Sequence, residues 1–157
     1  MHFIITVDGR PEPQGSKGYG AAGQMIESNH RALVAWRKRI KLSAFRELQR
    51  LGIDAAALPL FPRGQPVYVT DMTFIVADNQ CRAEGTDEPV GQPDIDKFLR
   101  AALDALGGGR DARMTARILA DDSQVVSFLR GPRKVRQLPG ETPGAIIGLS
   151  SDRKWDR

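Results

Sequence analysis

Asp94 and Asp96 stand two residues apart in GQPDIDKFLRAALDAL (91–106), with Lys97 and Arg100 close behind. One aspartate is enough to cap a helix. Two carboxylates held together repel each other unless something neutralises them. A magnesium ion does this well, because it is hard and prefers carboxylate oxygen and water. Residues just before a helix are extended, so the two side chains are expected to point to one side. A second acidic pair, Asp121-Asp122, precedes an apolar run. Three carboxylates from two segments, converging on one point, would form a Mg2+ site for phosphoryl chemistry. Arg100, four residues after Asp96, adds a fixed cation, and Asp104 has the spacing to hold it. A lone D-x-D also occurs in sugar-nucleotide transferases and aspartyl-phosphate phosphatases. The phosphatase reading fails here, because Gly91-Gln92-Pro93 precedes the pair and Lys97-Phe98 follows it. From the pair alone, a cap or turn remains the simpler explanation.

The elements that must position these groups can be read from periodicity. Residues 2–7 read as a strand and the Gly/Pro/Ser-rich 8–29 as a loop. Ser28 or Asn29 caps a helix over about 30–51, with Leu33, Trp36, Ile40, Ala44, Leu48 and Leu51 on one face and Gly52 as its stop. Residues 53–65 connect to a strand at 66–76, and 77–93 form a polar loop. A helix over 97–106 ends at Gly107-Gly108-Gly109. A basic loop, a strand within 124–130, a basic loop over 131–144 and a short strand at 145–149 follow. The order β, α, β, α, β, β predicts a small α/β domain with a mixed sheet over 1–150 and a polar tail at 151–157.

The chain has 157 residues and a net charge of +4. Residues 1–53 carry 9 Lys/Arg against 4 Asp/Glu, residues 54–96 carry 2 against 8, and residues 97–157 carry 12 against 7. Two basic segments therefore flank an acidic one. A basic frame suits a polyanion, whereas the acidic segment would repel it unless it holds a cation. Charge runs are also ordinary solvated faces. The single cysteine, Cys81, and two histidines, His2 and His30, argue against disulfides and His-rich zinc sites. No apolar run nears the roughly 20 residues that cross a bilayer, and the N-terminus lacks signal-peptide features. A cytoplasmic protein with no membrane partner is expected. Lys17 lies in PQGSKGYG, which can meet a phosphate but lacks P-loop spacing, so no nucleotide cofactor is expected. Trp36 and Phe45 read as core or interface residues, and Glu84, Asp87 and Glu88 as a solvated loop or the wall of an acidic cleft.

Together, PDIDKFLRAALDAL and LADDSQVV resemble the RusA family of Holliday junction resolvases, common in bacteriophages and prophages. The match comprises Asp94, Asp96, a basic residue six after the first Asp, LDAL at 103–106 and DDSQVV at 121–126, with PEPQGSKG at 11–18 similar to the family's N-terminal loop. The resemblance covers most of residues 2–130. It implies a homodimeric, Mg2+-dependent (or Mn2+-dependent) endonuclease that cuts four-way DNA junctions in recombination and repair, in a bacterial cytoplasm. By motif position it makes Asp94, Asp96 and Asp122 the essential carboxylates, puts Arg100 in place of an essential lysine, and leaves Asp121 as a supporting metal ligand. Candidate DNA contacts are Lys17, Lys97, Arg110, Arg113, Arg117, Arg133 and Lys134, each with a solvated surface residue as the alternative. Two departures stand out. Arginine grips a phosphate in two-point fashion but does not give up a proton, and the stretch 107–120 is longer than in compact members. A non-catalytic DNA-binding protein, and a nuclease for forks or flaps, remain the competing readings.

Overall fold

The computed structural model describes residues 1–15, 17–19, 25–27, 29–107 and 117–153. Alternation in HFIITVD makes a half-buried strand, β1 (His2–Asp8), with Phe3, Ile5 and Val7 inward and Ile4 and Thr6 outward. The loop expected at 8–29 contains a short antiparallel pair, β2 (Lys17–Tyr19) and β3 (Met25–Glu27). Helix α1 (His30–Arg50) buries Leu33, Trp36, Ile40, Ala44 and Leu48 as one stripe. Leu51 does not extend that stripe. It is 43% exposed, because the chain turns at Gly52, whose φ of +68° suits glycine. The carbonyl of Asn29 accepts the first α1 bond from Leu33, but its side chain makes no cap bond and instead donates to the Pro13 carbonyl at 2.8 Å. Ser28, the other cap candidate, lies outside the described residues.

Strand β4 (Val67–Val76) is the centre of a five-stranded mixed sheet. β7 (Gly144–Ser150) lies antiparallel between β1 and β4. On the other edge of β4, β5 (Val125–Phe128) pairs parallel with its first residues and β6 (Arg133–Arg136) pairs parallel with its last. β6 replaces part of the basic loop expected at 131–144. Its cations hide a strand whose alternate residues, Lys134 and Arg136, stand opposite Phe74 and Val76. The register of β4 shifts between Val69 and Asp71. Its buried apolar residues accordingly run Val67, Val69, then Met72, Phe74 and Val76. These join the inward residues of β1, β7 and both helices in one core. The result is a small single-domain α+β fold. Among the described residues no helix is long and apolar enough to cross a membrane.

Helix α2 (Ile95–Leu106) begins two residues earlier than periodicity suggests. It buries Phe98, Ala101, Ala102, Ala105 and Leu106, and Phe98 stacks on Phe74 at 5.4 Å between ring centroids. Because β4 and β5 are parallel, α2 has to carry the chain back from the end of β4 to the start of β5. The Leu106 carbonyl accepts from the amides of Ile118 and Leu119, so the chain returns directly beneath the helix end. At the other side of the sheet, the Met1 carbonyl accepts from the Ser151 amide at 3.0 Å.

Candidate functional site

Asp94 occupies the N-cap position of α2 with extended backbone, yet its side chain makes no cap bond. Asp96 lies inside the first helical turn. The expectation that both aspartates share an extended segment is therefore corrected: one precedes the helix and the other belongs to it. Their side chains are 55% and 63% exposed. Lys97 Nζ is 3.9 Å from Asp94 and an Arg100 terminal nitrogen is 3.9 Å from Asp96, the latter at the i, i+4 spacing read from the sequence. At these distances each pair is a loose neighbour rather than a spent ion pair. Two exposed carboxylates and a cation therefore lie on the first turns of one helix.

A fixed frame holds this end. Lys134 of β6 donates to the carbonyls of Gly91 at 2.9 Å and Pro93 at 3.1 Å, the residues leading into Asp94. The Cys81 thiol also reaches the Pro93 carbonyl, and the Gly91 amide donates to the Cys81 carbonyl. Burial pushes the Cys81 thiol up from its ordinary value, against the pull of Lys134. A Cβ on Gly91 would collide with the Arg82 carbonyl, so the loop closes only around glycine there. From the opposite side the Gln14 amide donates to the Lys97 carbonyl. The next residue, Gly15, lies beside the Arg100 guanidinium. Arg37 of α1 binds the Gln14 side-chain carbonyl and Asp104 together, the latter at 2.7 Å. Asp104 thus holds Arg37 and not Arg100, a correction to the spacing argument: the partly buried Arg37, arriving from α1, takes the carboxylate.

Asp122 is elsewhere. Its amide lies near Gly107, just past the C-terminal end of α2. The helix rise puts Asp94 and Asp96 about 16–20 Å from that end. Among the described residues no three His, Cys, Asp or Glu side chains gather to hold a metal. Convergence of Asp94, Asp96 and Asp122 within one chain is therefore corrected, and the reason is topological. In a parallel β-α-β crossover, the helix start and the second strand's start lie at opposite ends of the sheet.

The second acidic pair divides its work. Asp121 accepts from the Ser123 amide at 2.9 Å, and Gln124 returns a bond to the Asp121 amide, a reciprocal capping box on the short 3₁₀ turn Asp122–Gln124. The Ser123 bond holds the Asp121 carboxyl below its ordinary value. The buried Gln124 amide also donates to the carbonyls of Phe61, Pro62 and Gln65. It ties the acidic turn to the 61–65 loop, where Arg63, Gly64, Gln65 and Pro66 wall an open cleft of about 330 Å³ with Asp121 and Val126. Asp122 itself is exposed. The spacing D-x-x-Q is a capping-box signature that could have revealed Gln124 in the sequence.

The candidate DNA contacts scatter. Arg117 is exposed at the Asp122 end. Arg133 donates to Thr73 Oγ1 at 2.7 Å and lies 3.8 Å from Asp71 on the open face of the sheet. Lys134 is engaged as described. Lys17 belongs to β2 by its backbone, while Arg110 and Arg113 lie outside the described residues. Glu84, Asp87 and Glu88 are exposed, with Asp87 3.4 Å from Arg136 and Glu88 lining an open cleft with Asp94 and Lys134. Trp36 is core, and Phe45 is 38% exposed. No protein-family model matches the chain, and no curated protein matches it.

Proposed function

We propose that the protein is a Mg2+-dependent endodeoxyribonuclease that cuts four-way DNA junctions as a homodimer in a bacterial cytoplasm. The observation that carries this reading is an N-cap aspartate whose carboxylate does no capping, followed within one helix turn by a second exposed carboxylate and then by Arg100. Helix stability does not require that set. The motif resemblance to RusA-type resolvases points the same way.

The donor set fits the ion. Magnesium is commonly held by one or two carboxylates, with water and substrate phosphate completing its shell. Asp94 and Asp96 are exposed, Asp94 makes no side-chain cap bond, and these are the residues that would hold it. When bound, Mg2+ (or Mn2+) supplies water activation and charge stabilisation for phosphodiester hydrolysis. Arg100 grips the phosphate with its two-point fork and stays charged throughout, so it acts by binding and not by proton transfer. Lys134 and Gln14 keep the helix start in place from two sides.

A site that also uses Asp122 takes it from a second copy, because one chain separates it from Asp94 and Asp96. A two-fold pair then carries two such sites, matching the two symmetric cuts that resolve a junction. The test is incubation of the purified protein with labelled four-way, three-way, forked and linear DNA, with and without Mg2+. Metal-dependent paired cuts in the four-way substrate are expected. Preference for forks or flaps would reassign the substrate, and binding without metal-dependent cleavage would leave a DNA-binding protein.

A further inference from the structure

Helix α1 carries a charge pattern that the candidate site does not use. From His30 to Arg46 it contains Arg31, Arg37, Lys38, Arg39, Lys41 and Arg46 and no acid; the first carboxylate is Glu47. Arg37 is committed to Asp104, and Arg39 lies against Gly9 and the Asp8 carbonyl. Arg31, Lys38 and Arg46 are exposed and Lys41 is half-exposed. At 3.6 residues per turn these four fall within an arc of about 140° on the outward side. Val34, Leu42 and Phe45 share the arc and are 49%, 41% and 38% exposed.

This arrangement opposes the helix's own electrostatics. The N-terminal half of a helix favours anions, yet the first turn holds no acid and the cations begin at its second residue. Among the described residues no carboxylate pairs with Arg31, Lys38, Lys41 or Arg46, and a local rule broken in this way fits a surface kept for a ligand. A second copy docking here through a two-fold contact would set the cations against one another. A bilayer is disfavoured as well, because the strongly apolar side of α1, Leu33, Trp36, Ile40, Ala44 and Leu48, is already committed to the core. A polyanionic backbone fits.

We propose that the outward face of α1 is a second DNA contact, binding the sugar-phosphate backbone of a duplex arm. The choice of DNA rests on the nuclease reading above; the cationic face itself does not. Its position supports it. The start of α1 lies at the same end of the molecule as the start of α2, since Asn29 binds the Pro13 carbonyl and Gln14 binds the Lys97 carbonyl. Farther along, Arg37 meets Asp104, so the two helices run the same way. A duplex held at Asp94 and Asp96 would continue along α1 for about 30 Å. Val34, Leu42 and Phe45 lie between the cations, where deoxyribose faces would pack.

The test compares the full chain with a fourfold variant, Arg31→Gln, Lys38→Gln, Lys41→Gln and Arg46→Gln, which removes charge and keeps good helix formers. The probe is an unbranched fluorescent duplex titrated at several salt concentrations. The variant should bind at least tenfold more weakly, and its salt dependence should be shallower by about 3.6 in log-log slope. Circular dichroism checks the fold, and the double variant Lys38→Gln/Lys41→Gln, expected to lose about half that slope, replaces the fourfold one if it misfolds. Unchanged duplex affinity and slope would overturn the proposal. So would loss of binding to phosphatidylglycerol vesicles with duplex binding intact, which would assign the face to an anionic lipid surface. Junction cleavage by the parent, run in parallel, separates the two readings. A parent that never cuts but loses duplex binding through these substitutions defeats the nuclease alone. A parent that cuts, with a variant that binds duplex normally, defeats the α1 contact alone.

Discussion

Arg100 and Lys134 are both cations near the same two aspartates, yet their surroundings assign them opposite tasks. Arg100 is 59% exposed, with Asp96 a loose neighbour at 3.9 Å and Gly15 beside its guanidinium, so its charge can meet a phosphate. In single-turnover cleavage at saturating enzyme, Arg100→Ala should be severely slowed. Arg100→Lys should keep partial activity, because a point charge remains while the fork is lost. A parental rate in Arg100→Ala would reduce the residue to a helix-surface arginine. Lys134 has its ammonium on two carbonyls. Lys134→Met keeps the stem and removes the ammonium from both carbonyls, leaving Pro93 to the weak Cys81 thiol donor, so cleavage should fall while junction affinity and its salt dependence stay at parental values. A salt slope shallower by about 1 would instead make Lys134 a phosphate contact.

At the scale of elements, the two acidic pairs are mounted differently. The Asp121-Asp122 turn depends on Gln124, whose amide serves four backbone partners. Gln124→Leu should destabilise the fold by about 1–3 kcal/mol, read as a lower urea midpoint at unchanged slope. The Asp121 carboxyl is held below its ordinary value by Ser123. Its contribution is therefore present above the unfolded-state pKa of about 4 and is lost as pH falls through the lowered folded value. Asp121→Asn should flatten this part of the acid unfolding curve, and an unchanged curve would mean that the cap adds nothing. Much of this mounting was legible in the residues. The apolar stripes of α1 and α2 and the Asp96–Arg100 spacing follow from period, and the strands 66–76 and 145–149 from their β-branched and apolar content. Strand β6 was not legible, because Arg133, Lys134 and Arg136 give it a loop's composition and only pairing with β4 makes it a strand. The separation of Asp122 from Asp94 was also missed. It follows from β4 and β5 being parallel, which no local period reveals.

For the whole molecule, the separation of the carboxylates becomes an experiment on mixtures. Asp94→Asn and Asp122→Asn should each abolish cleavage while preserving junction binding. If each site joins Asp94 and Asp96 of one chain to Asp122 of the other, mixed dimers of these two inactive chains contain one intact site. Equilibrating the variants together should then restore nicking of a single junction strand. A site built within one chain would stay dead in every combination, and absence of nicking despite demonstrated subunit exchange would exclude the shared site. The two places where the chain returns to itself carry a different consequence. Met1 touches Ser151 and Leu106 touches Ile118 through main-chain bonds, so the order in which the chain is read is separable from the architecture it builds. A circular permutant, sealed between 151 and 1 by a short linker and opened between 107 and 117, would keep every strand partner described above.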